Sequence, residues 1–457
     1  MGRLFGTDGA RGVANCELTC ELAMNIGRAT AYVLTESKNN EKSTVLIGKD
    51  TRLSSDMLEG ALVAGLCSVG VNVIALGVVP TPAVAYLVKK YKCDAGIMIS
   101  ASHNPFEFNG IKIFNSDGFK LPDALEEEIE KIVLDEPEKI PYAEAANVGT
   151  LIHKSRAIDD YIEHVKSTVN VNLNGFRVAF DCSNGSAFRS AEKLFSSLGA
   201  ECFMLNDKPN GTNINDRCGS THLEGLIAFV QKNKCNAGIA FDGDADRCLA
   251  VDETGKVVDG DFIMAICADY LKDMGKLSAN TVVGTVMTNM GFSVFGKEND
   301  INFISARVGD RYVLEEMLRN NYNLGGEQSG HVIFLDHSTT GDGQLTAVQL
   351  LSILKAKNKT LSELSSIMRK YPQVIVNVKV SHEGKLKFYT DEVIKSTVQK
   401  IQDDFNRSDK KSVPDGRILV RASGTEPLIR VMVEGKNQEK IEKIANEVAE
   451  IIKNRLA

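Results

Sequence analysis

The sequence predicts an α/β chain of several domains, with a final domain of α+β character. Three observations carry this. First, 457 residues exceed what one hydrophobic core supports, so three or four domains are expected. Second, short apolar runs alternate with amphipathic stretches up to about residue 370, the pattern of mostly parallel sheets flanked by helices. Third, Lys92-Cys-Asp-Ala-Gly-Ile97 recurs as Lys234-Cys-Asn-Ala-Gly-Ile239. Each copy runs into a polar loop, so one unit of buried strand plus loop is used twice.

Composition narrows the class. Hydrophobic content of 43% and charged content of 25% are those of an ordinary globular protein. A net charge of −7 without a basic stripe argues against nucleic-acid partners. No apolar run reaches spanning or signal-peptide length, so no membrane association is expected. The ten cysteines form no Cys-x-x-Cys pair and read as reduced, mostly buried thiols of a cytoplasmic protein.

In chain order, residues 1–150 form the first α/β unit. It opens on the glycine-rich Phe5-Gly-Thr-Asp-Gly-Ala-Arg-Gly12, which carries Arg11. A periodic helix over about 21–34, a strand at 45–49 ending in Asp50-Thr-Arg-Leu-Ser-Ser55, a helix over 57–69 and a strand at 71–76 follow. The proline-marked acidic run at 135–141 signals a boundary. The second unit, 151–255, begins with a linking helix near 153–161 and continues with a strand at 176–180 and a loop at Asn210–Asn215. The third, 256–370, has a helix over 262–274, a strand at 281–285 and the loop Leu324-Gly-Gly-Glu-Gln-Ser-Gly-His331, a weaker third copy of the strand-and-loop unit. The last unit, 371–457, changes character. Residues 373–380 alternate like a half-exposed strand, strands at 418–422 and 428–433 flank a loop, and Ile441, Ala445, Val448 and Ile452 mark a closing amphipathic helix.

Four loops carry the chemistry. The strand at 95–99 delivers Ser102 onto a corner closed by His103-Asn-Pro105, where the residue before proline cannot be helical. A serine there is a nucleophile, a phosphate carrier or simply a turn cap. Asp242, Asp244 and Asp246 alternate behind the apolar run Gly238–Phe241, so in an extended segment they point one way. Three convergent carboxylates call for a cation, and Mg²⁺ suits carboxylates with a phosphate oxygen; a solvated acidic loop is the bland alternative. Two other motifs fit worse. An EF-hand needs Gly at its sixth position, where Arg247 stands, and a helix before the loop. A phosphatase of the haloacid-dehalogenase type would make Asp242 a nucleophile, but Asp246 replaces its usual Thr or Val. Arg421-Ala-Ser-Gly-Thr, with Arg430 beyond, offers a phosphate cradle from Arg421, Ser423, Gly424, Thr425 and Arg430, or ordinary turn chemistry. Glu327, Ser329 and His331 offer a carboxylate, a hydroxyl and an imidazole suited to sugar hydroxyls, or a turn. Lys112, Arg11 and Arg247 are either solvated cations or charge stabilisers of these loops.

The loops Ser100-Ala-Ser-His-Asn-Pro105, Asp242-Gly-Asp-Ala-Asp-Arg247, Gly326-Glu-Gln-Ser-Gly-His331 and Arg421-Ala-Ser-Gly-Thr-Glu-Pro427, in this order, resemble those of the α-D-phosphohexomutases over the whole chain. The opening Gly2-Arg-Leu-Phe-Gly-Thr-Asp-Gly-Ala-Arg-Gly12, and Gln328 where other members carry Met, point to the glucosamine-phosphate branch. The branch acting on mannose and glucose phosphates is the alternative. The segment Phe106-Glu-Phe-Asn-Gly110 departs slightly from the commoner form, which has Asp before Asn-Gly. The resemblance implies three related α/β domains with mixed sheets and a C-terminal α+β domain around a central cleft. It implies interconversion of glucosamine 6-phosphate and glucosamine 1-phosphate, with the 1,6-bisphosphate as activator and intermediate. It further implies a phosphoserine at Ser102, Mg²⁺ held by that phosphate and Asp242, Asp244 and Asp246, and sugar contacts from Glu327 and Ser329. Lys112 and His331 are the proton-transfer candidates, aided by Arg11 and Arg247. Relatives of this type are often homodimers.

Overall fold

The computed structural model describes the chain except residues 1, 7, 36–41, 407–413 and 424–426, so the calls on Gly424 and Thr425 lie outside the described residues. In chain order the first stretch comprises β1 (Phe5–Gly6), β2 (Gly9–Val13), α1 (Cys20–Thr35), β3 (Thr44–Lys49), α2 (Ser55–Ser68), β4 (Asn72–Val78), α3 (Thr81–Lys90), β5 (Ala95–Ile99), β6 (Phe108–Asn115), α4 (Asp123–Asp135) and β7 (Leu151–His153). Its seven strands are ordered β1-β2-β6-β5-β3-β4-β7. The second has α5 (Ala157–Ser167), β8 (Arg177–Asp181), α6 (Ser190–Ser197), β9 (Glu201–Leu205), α7 (Glu224–Asn233), β10 (Ala237–Phe241), β11 (Cys248–Asp252) and β12 (Val257–Val258), ordered β12-β11-β10-β8-β9. The third has α8 (Gly260–Asp273), β13 (Thr281–Thr285), α9 (Met290–Glu298), β14 (Asn302–Ala306), α10 (Asp310–Asn320), β15 (Leu324–Gly326), β16 (Val332–Phe334), α11 (Gly343–Lys357) and α12 (Leu361–Ser365), ordered β14-β13-β15-β16. The last has β17 (Gln373–Lys379), α13 (His382–Lys387), α14 (Glu392–Asn406), β18 (Gly416–Ala422), β19 (Leu428–Gly435) and α15 (Gln438–Leu456), with the antiparallel order β17-β19-β18.

Three differences from the sequence reading have physical causes. The first three sheets are mixed, as the resemblance implied; only the third is mostly parallel. In each, the loop-bearing strand returns as an antiparallel hairpin: β5 to β6, β10 to β11 and β15 to β16. The boundary at 150 falls inside the first sheet, because β7 pairs parallel with β4; His153 is therefore strand, and the linking helix starts at Ala157. Helix α9, read as part of the third unit, is compact with the C-terminal strands. Asn289 donates from Nδ2 to the Tyr371 carbonyl at 3.0 Å and to buried Glu434, which also accepts the Met290 N–H at 3.2 Å. Two compact units result: residues up to Met287 with Asn302–Ile367, and Thr288–Ile301 with Met368–Ala457.

The recurring segment is a true structural repeat, and the weaker third copy joins it. Each copy begins where a helix ends on a residue in the left-handed region, Lys92, Lys234 or Asn321. Two residues on, the side chains of Asp94, Asn236 and Asn323 accept the N–H of Thr44, Arg177 and Ser278 from the neighbouring strand segment, at 2.8, 2.8 and 3.0 Å. Two further on stands a glycine packed beneath the preceding helix: Gly96 under Val84 and Val88, Gly238 under Leu226 and Val230, Gly325 under Val313 and Met317. A side chain there would push helix from sheet.

Helix α7 supplies an internal control. A Cβ at Gly238 would lie 2.6 Å from Val230 Cγ2, whereas one at Gly225, in the first turn of α7, meets nothing within 4 Å. Gly238→Val should destabilise by about 1–3 kcal/mol, and Gly225→Ala should be neutral or stabilising by up to ~1 kcal/mol. Apparent thermal midpoints that move in the same direction for both variants would contradict this packing.

Candidate active site

The loops after β5 and β10 meet face to face. Ser102 is buried and adopts φ +54°, the left-handed corner that the Asn-Pro turn foreshadowed. Its hydroxyl donates to Asp242 Oδ2 at 2.6 Å. The approach requires a glycine opposite: a Cβ at Gly243 would lie 2.5 Å from the Ser102 carbonyl oxygen. His103 Nδ1 lies 3.4 Å from the Ser102 hydroxyl. Burial, with Arg247 and Arg11 nearby, pushes the His103 imidazole down to about 4, so it is neutral at physiological pH.

Asp242, Asp244 and Asp246 are all buried, and each places an oxygen within 4.8 Å of the others. Burial, then Asp246 and Asp244, hold the Asp242 carboxyl well above the ordinary carboxylate range. Asp244 goes the other way. Against the cost of burial, the Lys112 ammonium at 2.7 Å and the Thr81 hydroxyl at 2.6 Å hold its carboxyl well below that range. Asp244 Oδ1 and Asp246 Oδ1 are buried with no hydrogen-bond partner. Orphaned carboxylate oxygens inside a protein are costly, so an all-oxygen cluster of this kind fits a hard divalent cation. Strands β10 and β11 flank the loop on both sides, which removes the EF-hand reading.

Lys112, on β6, is almost wholly buried. It contacts Asp244 at 2.7 Å, Asp8 at 3.1 Å and Asp246 at 3.5 Å. Burial alone would lower its pKa, but Asp244, Asp8 and Asp246 outweigh burial and keep it charged well above the normal lysine range. A lysine so held is a fixed cation and does not accept protons at neutral pH. Asp8 also pairs with Arg11 and, at 2.5 Å, with Lys120; Lys120 reaches Asp310 at 2.5 Å. Arg247 Nε lies 3.9 Å from Asp246 Oδ1. Arg11 Nε and Arg247 Nε are buried donors without a hydrogen-bond partner, as an anion site requires.

The sugar-loop candidates sit between β15 and β16. Glu327 Oε1 accepts the Gly309 N–H at 3.0 Å, and the Ser329 hydroxyl is buried without a partner. His331 is buried with neither ring nitrogen hydrogen-bonded, its Nε2 3.6 Å from Asp310. The loop leans on the metal-loop domain, where the Cys248 N–H donates to the Gly330 carbonyl at 2.9 Å. Gln328 faces away, its Nε2 donating to Asp261 at 3.2 Å.

The C-terminal unit carries its candidates by itself. Arg421 on β18 stands directly opposite Arg430 on β19, and Ser423 is buried at the strand end. Burial and the neighbouring Arg430 charge lower the Arg421 pKa. Two like charges facing across a ladder are unfavourable without an anion between them.

Sequence reasoning missed Asp8, Thr81, Lys120 and Asp310, as well as Asp50, Arg52 and Asn215 around the serine loop. Thr81 and Asp244 are 163 residues apart, a separation that leaves no local signal. Asp8 stood in the glycine-rich opening with Arg11, and Asp50, Arg52 and Asn215 stood in segments read only as a strand end and a loop.

The four domain descriptions of "Phosphoglucomutase/phosphomannomutase" match in order: alpha/beta/alpha domain I at residues 2–139, II at 159–255, III at 259–371 and the C-terminal domain at 375–451. The chain is 53% identical over 455 residues to the phosphoglucosamine mutase of Clostridium beijerinckii, and 55% identical over 457 residues to that of Acetivibrio thermocellus, with both chains fully covered in each case. Among solved structures, a phosphoglucomutase/phosphomannomutase family protein from Burkholderia thailandensis superposes with a TM-score of 0.82 at 23% identity, covering 100% of this chain and 99% of that one. The N-acetylphosphoglucosamine mutase of Aspergillus fumigatus, in complex with GlcNAc-6P and magnesium, gives 0.71 at 17%, covering 100% and 96%. Among the described residues no helix is long and apolar enough to cross a membrane. The chain belongs to the phosphoglucomutase/phosphomannomutase family of phosphohexomutases.

Proposed function

We propose that this chain is a cytoplasmic phosphoglucosamine mutase that interconverts glucosamine 6-phosphate and glucosamine 1-phosphate through a phosphorylated Ser102 and a 1,6-bisphosphate. The single observation that carries the reading is full-length identity above half to relatives of that name, joined to a serine hydroxyl 2.6 Å from a cation-ready carboxylate cluster. Each of the four units contributes one loop: the carrier from 1–150, the metal ligands from 151–255, the sugar contacts from 256–370 and the phosphate cradle from 371–457.

Phosphoryl transfer depends on in-line positioning and charge neutralisation. Asp242, Asp244 and Asp246, with the Ser102 phosphate, would hold Mg²⁺, which would supply charge neutralisation at the transferring group. Arg247 and Arg11 turn their unpartnered Nε donors to the same phosphate. In the forward half-reaction the bond from Ser102 Oγ to phosphorus breaks, and one from phosphorus to the sugar O1 forms. The sugar turns over, the 6-phosphate returns to Ser102, and glucosamine 1-phosphate leaves. Lys112, held charged, stabilises the transferring phosphate without taking a proton. His331, whose nitrogens are free, carries the proton of the reacting hydroxyl. Glu327 and Ser329 hold the sugar hydroxyls, and Arg421, Ser423, Gly424, Thr425 and Arg430 grip the phosphate that is not reacting.

Initial rates on glucosamine 6-phosphate, glucose 6-phosphate and mannose 6-phosphate, with Mg²⁺ and a trace of the matching 1,6-bisphosphate, should favour the amino sugar. Equal or faster turnover of the other two would make the chain a phosphomannomutase/phosphoglucomutase instead. Ser102→Ala should abolish turnover and leave no site for stable phosphate incorporation by intact mass; activity near the wild-type level would refute the carrier role. Arg421→Ala should raise KM about ten- to a hundredfold, the value of one or two charged hydrogen bonds, with kcat little changed. An unaltered KM would remove Arg421 from the cradle.

A further inference from the structure

Two segments that the function does not absorb, Asp50–Ser55 and Asn210–Asn215, converge on the backbone of the serine loop. Arg52 is wholly buried, and all five of its side-chain N–H groups are placed. Nε donates to Asp50 Oδ2 at 2.8 Å. Nη1 donates to the carbonyls of Pro105 and, at 3.0 Å, Phe108. Nη2 donates to the carbonyls of Ser102 at 2.9 Å and Asn104 at 2.8 Å. Asn215 reaches the last two carbonyls from the metal-loop domain, its Nδ2 donating at 2.9 Å to Ser102 and 3.0 Å to Asn104.

The other side of Ser102 is fixed as well. Asp50 Oδ2 accepts the Ser100 hydroxyl at 2.6 Å, and that hydroxyl oxygen accepts the Ser102 N–H at 3.0 Å. Both peptide groups of Ser102 are therefore anchored, through one buried ion pair and one amide. That is the condition for a non-glycine residue to stay at φ +54°. Only the side-chain torsion remains free, and it presents Oγ to Asp242.

We propose that Arg52 and Asn215 are positioning residues for the Ser102 hydroxyl, holding the carrier loop in its left-handed turn so that the oxygen stays registered on the aspartate cluster. The proposal rests on the phosphoserine reading above for its kinetic consequence, though not for its structural one. Asn215 adds a specific feature: the second of the two anchors on these carbonyls comes from the domain bearing the aspartates.

Arg52→Lys keeps a charge beside Asp50 but cannot reach four carbonyls with one nitrogen. Asn215→Ala removes the second anchor while leaving the first sheet and the Arg52–Asp50 pair untouched, and carries the test where Arg52→Lys fails to fold. A displaced reacting atom costs rate more than binding, so kcat on glucosamine 6-phosphate should fall about tenfold or more with KM within about twofold. The thermal midpoint of Asn215→Ala should stay near that of the wild type. Hydrogen–deuterium exchange of the Ser102 to Asn104 amides should accelerate in both variants. Unchanged exchange, or faster exchange with unaltered kcat, would overturn the proposal. If the wild type turned over none of the hexose phosphates, the mutase reading would fail, and exchange alone would decide: faster upholds the clamp, unchanged rejects it.

Discussion

Three buried carboxylates on one short loop are the constraint to which the larger unit answers. Unpaired, such charges are untenable in a protein interior. Lys112 reaches two of them and is itself shared with Asp8; Asp8 is shared with Lys120, and Lys120 with Asp310. A ladder of alternating charge thus runs from the metal loop to the His331 neighbourhood of the sugar loop. The inner rungs, Lys112 with Asp244 and Asp246, are buried, whereas Asp8, Lys120 and Asp310 are partly exposed; removing Lys112 would leave Asp244 a buried carboxylate without its cation, a loss of roughly 3–5 kcal/mol for a buried pair. The ladder also fixes protonation. Against burial, carboxylates raise the pKa of Lys112 and Lys120, and lysines lower those of Asp8, Asp244 and Asp310, while Asp242, which no lysine reaches, has its carboxyl raised by burial and by its neighbours. Asp242 is also the member that faces Ser102.

The scaffold under this charge is a unit used three times. A helix ends left-handed, an Asx side chain pins the next strand to its neighbour, a glycine lets the helix press on the sheet, and the strand returns antiparallel. The hairpin matters for function because it projects its loop beyond the carboxyl ends of the parallel strands, where α/β sheets bind ligands. The copies hold the geometry constant and vary the cargo: a hydroxyl after β5, carboxylates after β10, and Glu327, Ser329 and His331 after β15.

What the sequence made legible follows from this division. Cargo residues sit in short runs of unusual composition, so Ser102, the three aspartates and the Glu327 to His331 loop could be singled out. The first two copies still share wording because their strands are buried on both faces; the third has lost it, keeping only the glycine and the Asx residue. The partners that tune the cargo were not legible. Thr81, Lys120, Asp310, Arg52 and Asn215 each lie in another element from the group they serve, and nothing in a lone buried arginine or threonine marks it as such in sequence. The domain boundary was misplaced for a related reason: β7 is a short, exposed edge strand, and its three residues carry no alternation that could tie them to the first sheet.

The C-terminal unit gathers like charge instead of alternating it. Arg421 and Arg430 face each other across β18 and β19 on a sheet that closes its core with Ile429, Val431 and Val433 on the other face of the strand. A dianion between two guanidinium forks satisfies both, and planar forks suit phosphate better than ammonium groups do. A mutase working through a bisphosphate has a reason to keep such a grip apart from the chemistry. Its substrate carries a phosphate at one end while the other end reacts, and the two ends then exchange places. A cradle that recognised charge and not the sugar would accept either end, which is the tolerance that reorientation demands.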